Sequence, residues 1–404
     1  MKILVFTYLF PNLVNPEFGI FVLNRLKAVS EYCDLIIINP VPWFPFCEKF
    51  SRYQNFNEIP KKEIIQGIEV FHPRFFIVPK YLKFFDSISY FFSVFHLTKR
   101  IYKNFKFDLI DLHWTYPDIL AGTILSRYFN KRLVVNVRGK SALNIFPIPE
   151  GNQYYKEKSL RAIILGKLLP KADAIVTLSE ELKTECINLG VLSEKIEVIQ
   201  NGVNTSKFYY MDQKECRKKL TLPAERKIIL SVGNLIFGKG FDRIIRALHF
   251  LIKKYPDILY CIAGSRGAAG DYTETLNKLI KTKGLNEYIF FAGQINHDAI
   301  AAWYNAADVF CLSSRSEGCP NVLMEALACG CPCVASDVGD VSNIVKYKFM
   351  GKVVDNSQEA LKNGLVEVLA EKYDRKEIAA YMKENTWDKC AEKVVNLYSK
   401  TLKF

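Results

Sequence analysis

The sequence predicts an α/β protein made of two tandem Rossmann-like, doubly wound domains with an interdomain cleft, and three observations support that prediction. The chain has 404 residues, enough for two domains with real cores. Half of its residues are hydrophobic, with many Phe and Tyr, whereas a disordered chain is poor in both. Finally, short β-branched and aromatic runs alternate with segments of helical period. Near-continuous apolar strands of that kind belong to parallel sheets covered on both faces.

In chain order the strand-like runs of the first half are KILVFTY, DLIIINP, FDLIDLHW, RLVVNVRG, DAIVTLS and KIEVIQNG. Those of the second half are KIILSVGN, ILYCIAGS, YIFFAGQ, DVFCLSS, PCVASDV and KVVD. The polar stretch NGVNTSKFYY and the charged DQKECRKKLTLPAERK lie between the two sets. They place a first domain over residues 1–203 and a second over 204–383, with a last helix at 384–404 returning to the first. The opening KILVFTYLF is short for a signal peptide and no small-residue cleavage site follows it, so it is predicted to be a buried strand. No run reaches the ~18–20 apolar residues of a spanning helix.

The eleven cysteines show no paired framework or zinc spacing. Cys329, Cys331 and Cys333 alternate, which predicts one face of a strand and free thiols in a reducing compartment. Charge is uneven: residues 1–170 hold 23 Lys/Arg against 13 Asp/Glu, and the remainder 32 against 29. A basic half suits nucleic acid, an anionic membrane or phosphorylated substrates.

In doubly wound folds ligands sit beyond the carboxyl ends of the strands, so the loops there carry the candidates. FPNLVNPEFGIFVLNRL holds Gly19 before a helical segment. A glycine there either admits an anion to the helix start or only shapes the turn. SVGNLIFGKGFDRII places Lys239 between Gly238 and Gly240, either as a point charge for phosphate or as a solvated turn residue. In SSRSEGCPNVLMEAL, Glu317 lies in a loop and Glu325 within a helix. That helix start, at Asn321 and Val322, can cradle a phosphate, and Glu325 can accept two ribose hydroxyls. A first-turn and a mid-helix glutamate of purely structural kind fit the same spacing.

The segment EGCPNVLME resembles the E-x7-E signature of the retaining, GT-B-type family-4 glycosyltransferases. PEFGIFV, LHWTYPD, NVRGKS, ADAIVTLSEEL and IQNGVN are similar to that family's first-domain landmarks. VGNLIFGKGFDRII, IAGS, FAGQINHDAIAAWYNAADVFCLSSRSEG and NTWDKCAEKVVNLY are similar to those of its second domain, in the same order. The resemblance implies transfer of a hexose-type sugar, with retention of configuration, from a nucleotide-sugar donor, here a UDP-sugar. The acceptor would be a saccharide or lipid-linked molecule in cell-surface polysaccharide synthesis. It further implies that Glu317 contacts the donor sugar, Glu325 the ribose and Lys239 the diphosphate. Gly19 would let its loop approach the diphosphate, Gln294 and Ile295 would meet the base, and Gly318 and Asn234 would line the donor site. Arg138, beside Gly139, would face the reacting centre. The family often has Arg where Asn234 stands, and its G-G-x-P-E run is GDVSN at 339–343 here.

No D-x-D run sits at a strand end, so neither a metal nor any other cofactor is expected, and the leaving diphosphate itself can serve as base. His113 is open to two readings, as a cleft residue or as a structural imidazole. Residues 75–107 hold twelve aromatics, six Lys/Arg and one acid. Within them Tyr81, Phe84, Phe85, Ile88, Phe92 and Phe95 follow helical spacing. That stripe is either the core face of a first-domain helix or a surface for an anionic bilayer, which would place the protein in the cytoplasm at the inner face of the plasma membrane. No RNP, zinc-finger or helix-turn-helix pattern accompanies the charge, which excludes nucleic acid as the expected partner. Two other functions share the fold: a nucleotide-sugar epimerase and a non-catalytic nucleotide-sugar-binding subunit.

Overall fold

A computed structural model of the chain describes residues 1–50, 53–78, 85–143, 145–147, 154–156, 159–266, 270–296 and 298–403, with 145–147 and 154–156 described by backbone alone. The chain forms two compact units. One gathers Met1–Phe146, Tyr155–Asn201 and Trp387–Phe404, and the other Gly202–Thr386 with Pro147–Tyr154. The sequence division fell at 203/204. In the structure the Val203 N–H donates to the Asn385 carbonyl (2.8 Å) and Val203 bridges Thr386, so it counts with the second unit.

The first unit is built on a sheet of eight strands: β1 (Lys2–Phe6), β2 (Asp34–Ile38), β3 (Lys62–Ile65), β4 (Ile68–Phe71), β5 (Leu109–Leu112), β6 (Arg132–Val137), β7 (Ala174–Thr177) and β8 (Ile196–Val198). Their order is β8-β7-β6-β5-β1-β2-β4-β3, parallel throughout except for the β3–β4 hairpin. β1 is buried from Ile3 to Phe6, as expected of a central strand covered on both faces. The hairpin had no counterpart in the sequence reading. It turns at Gln66 (φ 48°) and Gly67 (φ 85°), the left-handed pair of a two-residue turn whose twist matches the strands.

Helix α1 (Ile20–Val29) and the last helix of the chain (Trp387–Lys403) cover one face of this sheet, where Val22, Leu26, Val394 and Leu397 join Ile3, Val5 and Val134 in one core. Helix α2 (Phe85–Asn104) turns Ser87, Tyr90, Val94, Thr98 and Ile101 inward. The apolar stripe read from the sequence is therefore not the core face. Phe85, Ile88 and Phe92 are 50%, 37% and 65% exposed, while Tyr81 and Phe84 lie outside the described residues. Helix α3 (Asp118–Phe129) follows β5.

The second unit is a six-stranded, all-parallel sheet of β9 (Ile228–Val232), β10 (Leu259–Ala263), β11 (Ile289–Gly293), β12 (Val309–Leu312), β13 (Cys333–Ser336) and β14 (Gly351–Val354). Its order is β11-β10-β9-β12-β13-β14, the 3-2-1-4-5-6 arrangement of a Rossmann sheet. The helices that matter for its upper edge are α4 (Phe241–Lys254), α5 (Ile300–Ala306) and α6 (Asn321–Ala328); the chain-terminal helix Trp387–Lys403 is α7. The cysteine alternation does not trace one strand. Cys329 caps α6, Gly330 turns at φ 74°, and only Cys333 enters β13. All eleven cysteines are free and buried.

Candidate active site

Both sheets reverse strand order after their first strand, and the switch point is where ligands bind in such folds. In the second unit it lies between β9 and β12, so the loops following them share one edge. Gly240 precedes α4 at φ 69°, and a Cβ there would stand 2.0 Å from the Ser313 carbonyl oxygen. Only glycine lets these two loops close on each other. The Arg315 N–H donates to the Gly238 carbonyl (2.8 Å), and the Ser313 hydroxyl to the Lys239 carbonyl (3.0 Å). A third loop joins where the Asp340 N–H donates to the Gly318 carbonyl (3.0 Å).

This closure brings Lys239 Nζ to 2.7 Å from Glu317 Oε1, which also accepts from the Ser314 hydroxyl at 2.6 Å. The pair is partly open, the lysine side chain 25% and the glutamate 13% exposed. Beneath it Arg315 forms a two-point pair with Asp242 (3.0 and 2.9 Å) and stacks on Phe237, 3.8 Å from ring centre to guanidinium. Such a buried fork fixes the loop floor and leaves Lys239 and Glu317 as the exchangeable charges.

Glu325 is half-buried on α6, and its Oε2 accepts from the Tyr304 hydroxyl of α5 at 2.9 Å. Burial and the Glu325 carboxylate push the Tyr304 pKa well above its ordinary value, so the phenol stays a donor. Asn321 and Val322 form the first turn of α6, whose cap, Pro320, contributes no side-chain acceptor. Asn234 is exposed, its Oδ1 accepting from Ser265 at 3.3 Å, and exposed Gln294 and half-buried Ile295 follow β11. The structure thus brings Asn234, Lys239, Gln294, Ile295, Glu317, Gly318, Asn321, Val322 and Glu325 to one edge of one sheet. Tyr304, Ser314, Arg315 and Asp242 were not foreseen. Ser314 and Arg315 sit inside the SSRSEG loop and Asp242 right after GKG, which is the signal that could have found them.

Gly19 and Arg138 belong to the first unit. Gly19 caps α1 at φ 70°, and a Cβ there would lie 2.6 Å from the Leu9 carbonyl carbon, so its own chain requires a glycine. Arg138 follows β6 and is buried in a polar network at the β1/β5 switch point. Its Nη2 donates to His113 Nδ1 at 2.6 Å, and its Nη1 lies 3.5 Å from Asn201 Oδ1. His113 Nε2 faces Asp111 Oδ2 at 2.7 Å, and that oxygen also accepts from Tyr398 Oη at 2.6 Å. Asp111 Oδ1 accepts from Asn136 (2.7 Å), and Arg25 Nη2 donates to Asn201 Oδ1 (3.0 Å). Burial, with Arg138 adding to it, draws the His113 pKa down to about 4, so the ring is neutral at physiological pH. Burial raises the Asp111 carboxyl, but His113, Tyr398 and Arg138 outweigh it and its pKa lies below the ordinary value. With both ring nitrogens engaged, His113 takes the structural reading.

Among the described residues no group of three or more His, Cys, Asp or Glu side chains is placed to hold a metal, and no helix is long and apolar enough to cross a membrane.

Comparison with known proteins matches residues 212–386 to the family described as glycosyl transferases group 1, and residues 57–207 to glycosyltransferase family 4. A Bacillus subtilis (strain 168) protein provisionally named teichuronic acid biosynthesis glycosyltransferase TuaC is 26% identical over 384 residues, covering 94% of this chain and 92% of its own. Sucrose-phosphate synthase from Thermosynechococcus elongatus superposes with TM-score 0.78 at 19% identity, covering 99% and 98% of the two chains. HepE from Anabaena, solved in complex with UDP, gives 0.72 at 18%, covering 99% and 100%. The two family matches together span most of residues 57–386 and the fold likeness runs over nearly the whole length: the chain belongs to the GT-B-type, family-4 glycosyltransferases.

Proposed function

We propose that this glycosyltransferase moves a hexose-type sugar, with retention of configuration, from a UDP-sugar to a saccharide or lipid-linked acceptor of a cell-surface polysaccharide. The observation that carries the reading is the half-open Lys239–Glu317 pair at the second sheet's switch point, with the α6 helix start beside it in sequence. An arriving diphosphate draws Lys239 away from Glu317. The freed carboxylate then accepts sugar hydroxyls and stabilises the positive charge that develops at the anomeric carbon. The first-turn N–H groups at Asn321 and Val322 take up phosphate charge, which the helix dipole favours. Glu325, steadied by Tyr304, accepts from the ribose, while Gln294 and Ile295 meet the base and Asn234 and Gly318 line the donor. Arg138 is the cation of the first unit, and Gly19 shapes the loop after β1. Departing diphosphate serves as the base that deprotonates the acceptor, and no metal takes part.

The UDP choice is supported by the fold shared with the UDP-bound HepE, and the cell-surface acceptor by the name of the Bacillus relative. Peripheral contact with an anionic bilayer is supported by the exposed Phe85, Ile88 and Phe92 of α2. Near them are Trp43 and Phe76, facing strand partners that are 42% and 48% exposed. Aromatic rings with a net basic surround are what an anionic interface takes.

The test has two stages. A panel of nucleotide sugars is screened for thermal stabilisation, with a UDP-sugar expected to raise Tm most. Nucleoside diphosphate release from that donor is then expected to depend on added acceptor. Release without acceptor dependence, or epimerised donor as the sole product, contradicts the proposal.

A further inference from the structure

The buried network around Arg138 shows a chain of command that runs from the far end of the polypeptide. Tyr398 lies on α7, 287 residues from the Asp111 that its hydroxyl reaches. Arg138 can only donate, so the His113 Nδ1 it touches must be the unprotonated ring nitrogen. The ring proton therefore sits on Nε2 and points at Asp111. Asp111 in turn accepts from Tyr398, His113 and Asn136, so its carboxylate is held on both oxygens. Tyr398, Asp111 and His113 are at most 1% exposed, and no step of the proposed reaction uses them directly. Arg138 Nε is buried without a partner, so the guanidinium keeps donor capacity that the network does not consume.

We propose that Tyr398, Asp111 and His113 form a positioning relay. The C-terminal helix fixes the carboxylate, the carboxylate fixes the imidazole tautomer, and the imidazole fixes the guanidinium of Arg138 in one orientation. The inference rests on the preceding reading in one respect, that Arg138 serves the transfer. It explains why a helix from the end of the chain returns to the first sheet with a tyrosine on its buried side. A phenylalanine would fill the same core volume but leave Asp111 Oδ2 one donor short.

Two measurements test it. In ¹⁵N-histidine NMR, His113 is expected as the neutral Nε2–H tautomer from pH 5.5 to 8, whether or not any donor binds. An Nδ1–H tautomer, or titration near 6.5, overturns the relay outright. In kinetics with the donor chosen by the screen, Asp111→Asn is expected to lower kcat on the order of 100-fold and Tyr398→Phe about 10-fold, the range for loss of an outer-shell partner, with donor KM unchanged. His113→Asn keeps an acceptor where Nδ1 stood and is expected to retain far more turnover than His113→Leu. Equal turnover in those two variants, or wild-type kcat in Tyr398→Phe, overturns the relay where Arg138→Lys is impaired. Wild-type kcat in Arg138→Lys instead removes the role assigned to Arg138 and leaves the NMR result to decide the relay's geometry.

Discussion

The carboxyl edges of the two sheets share one strand logic and carry opposite electrostatics. At the second, Lys239 and Glu317 meet in a partly open pair that a ligand can take apart. At the first, Asp111, His113 and Arg138 are buried and bound to one another, and buried Arg25 joins them through Asn136 and Asn201. Breaking up a buried polar network costs far more than separating charges near water, because each orphaned group keeps its desolvation penalty. The difference teaches that a switch point is a place, not a chemistry. On the proposed function, one edge serves exchange with ligand and the other holds one cation still.

That contrast predicts where substitutions are felt. Glu317→Ala is expected to lower kcat/KM by about 10²–10³-fold, the cost of one electrostatic contact made in the transition state, with Tm essentially unchanged. Wild-type turnover in that variant would take the second edge out of the chemistry. At the first edge the large effects are expected in stability. Asp118, the first residue of α3, is fully buried, which pushes its pKa up to about 8. The raised folded pKa means that the unfolded chain loses its proton first. The wild type therefore forfeits stability from this group as pH rises from about 4 to 8. Asp118→Asn removes that loss, with an expected gain on the order of 5 kcal/mol at pH 7.5 that shrinks toward pH 4. Denaturant titrations of both proteins at the two pH values check it, and a gain independent of pH would contradict the burial argument. A smaller effect is expected on α2. Phe85→Ser with Phe92→Ser should weaken sedimentation with phosphatidylserine-containing vesicles about tenfold, consistent with two partly buried rings, while UDP binding stays intact.

Sequence reading reached the doubly wound class and most strands of both sheets because near-continuous apolar runs leave little freedom to a parallel strand. It also reached the loops at the second edge, because Gly238, Lys239 and Gly240 cluster in one short segment and Glu317 and Glu325 in another. The β3–β4 hairpin escaped because KEII and IEVF are only four residues each and are broken by charge at Lys62, Glu63 and Glu69. On α2 the spacing showed that Phe85, Ile88 and Phe92 share a face but not which face points inward. The inward side is built with Ser87, Tyr90 and Thr98, and the Thr98 hydroxyl pays its burial by donating to the Val94 carbonyl (2.8 Å). The first edge was least legible. Asp111 and His113 sit two residues apart, but Arg25, Asn201 and Tyr398 reach the network only through the fold, and long-range pairing leaves no local pattern.

The most direct test of the account is calorimetric titration of UDP into the wild type and Lys239→Ala. The account predicts a Kd at least about tenfold weaker in the variant, from loss of one charge-assisted phosphate contact. Identical affinities in the two proteins would show that the diphosphate does not bind at the Lys239–Glu317 pair.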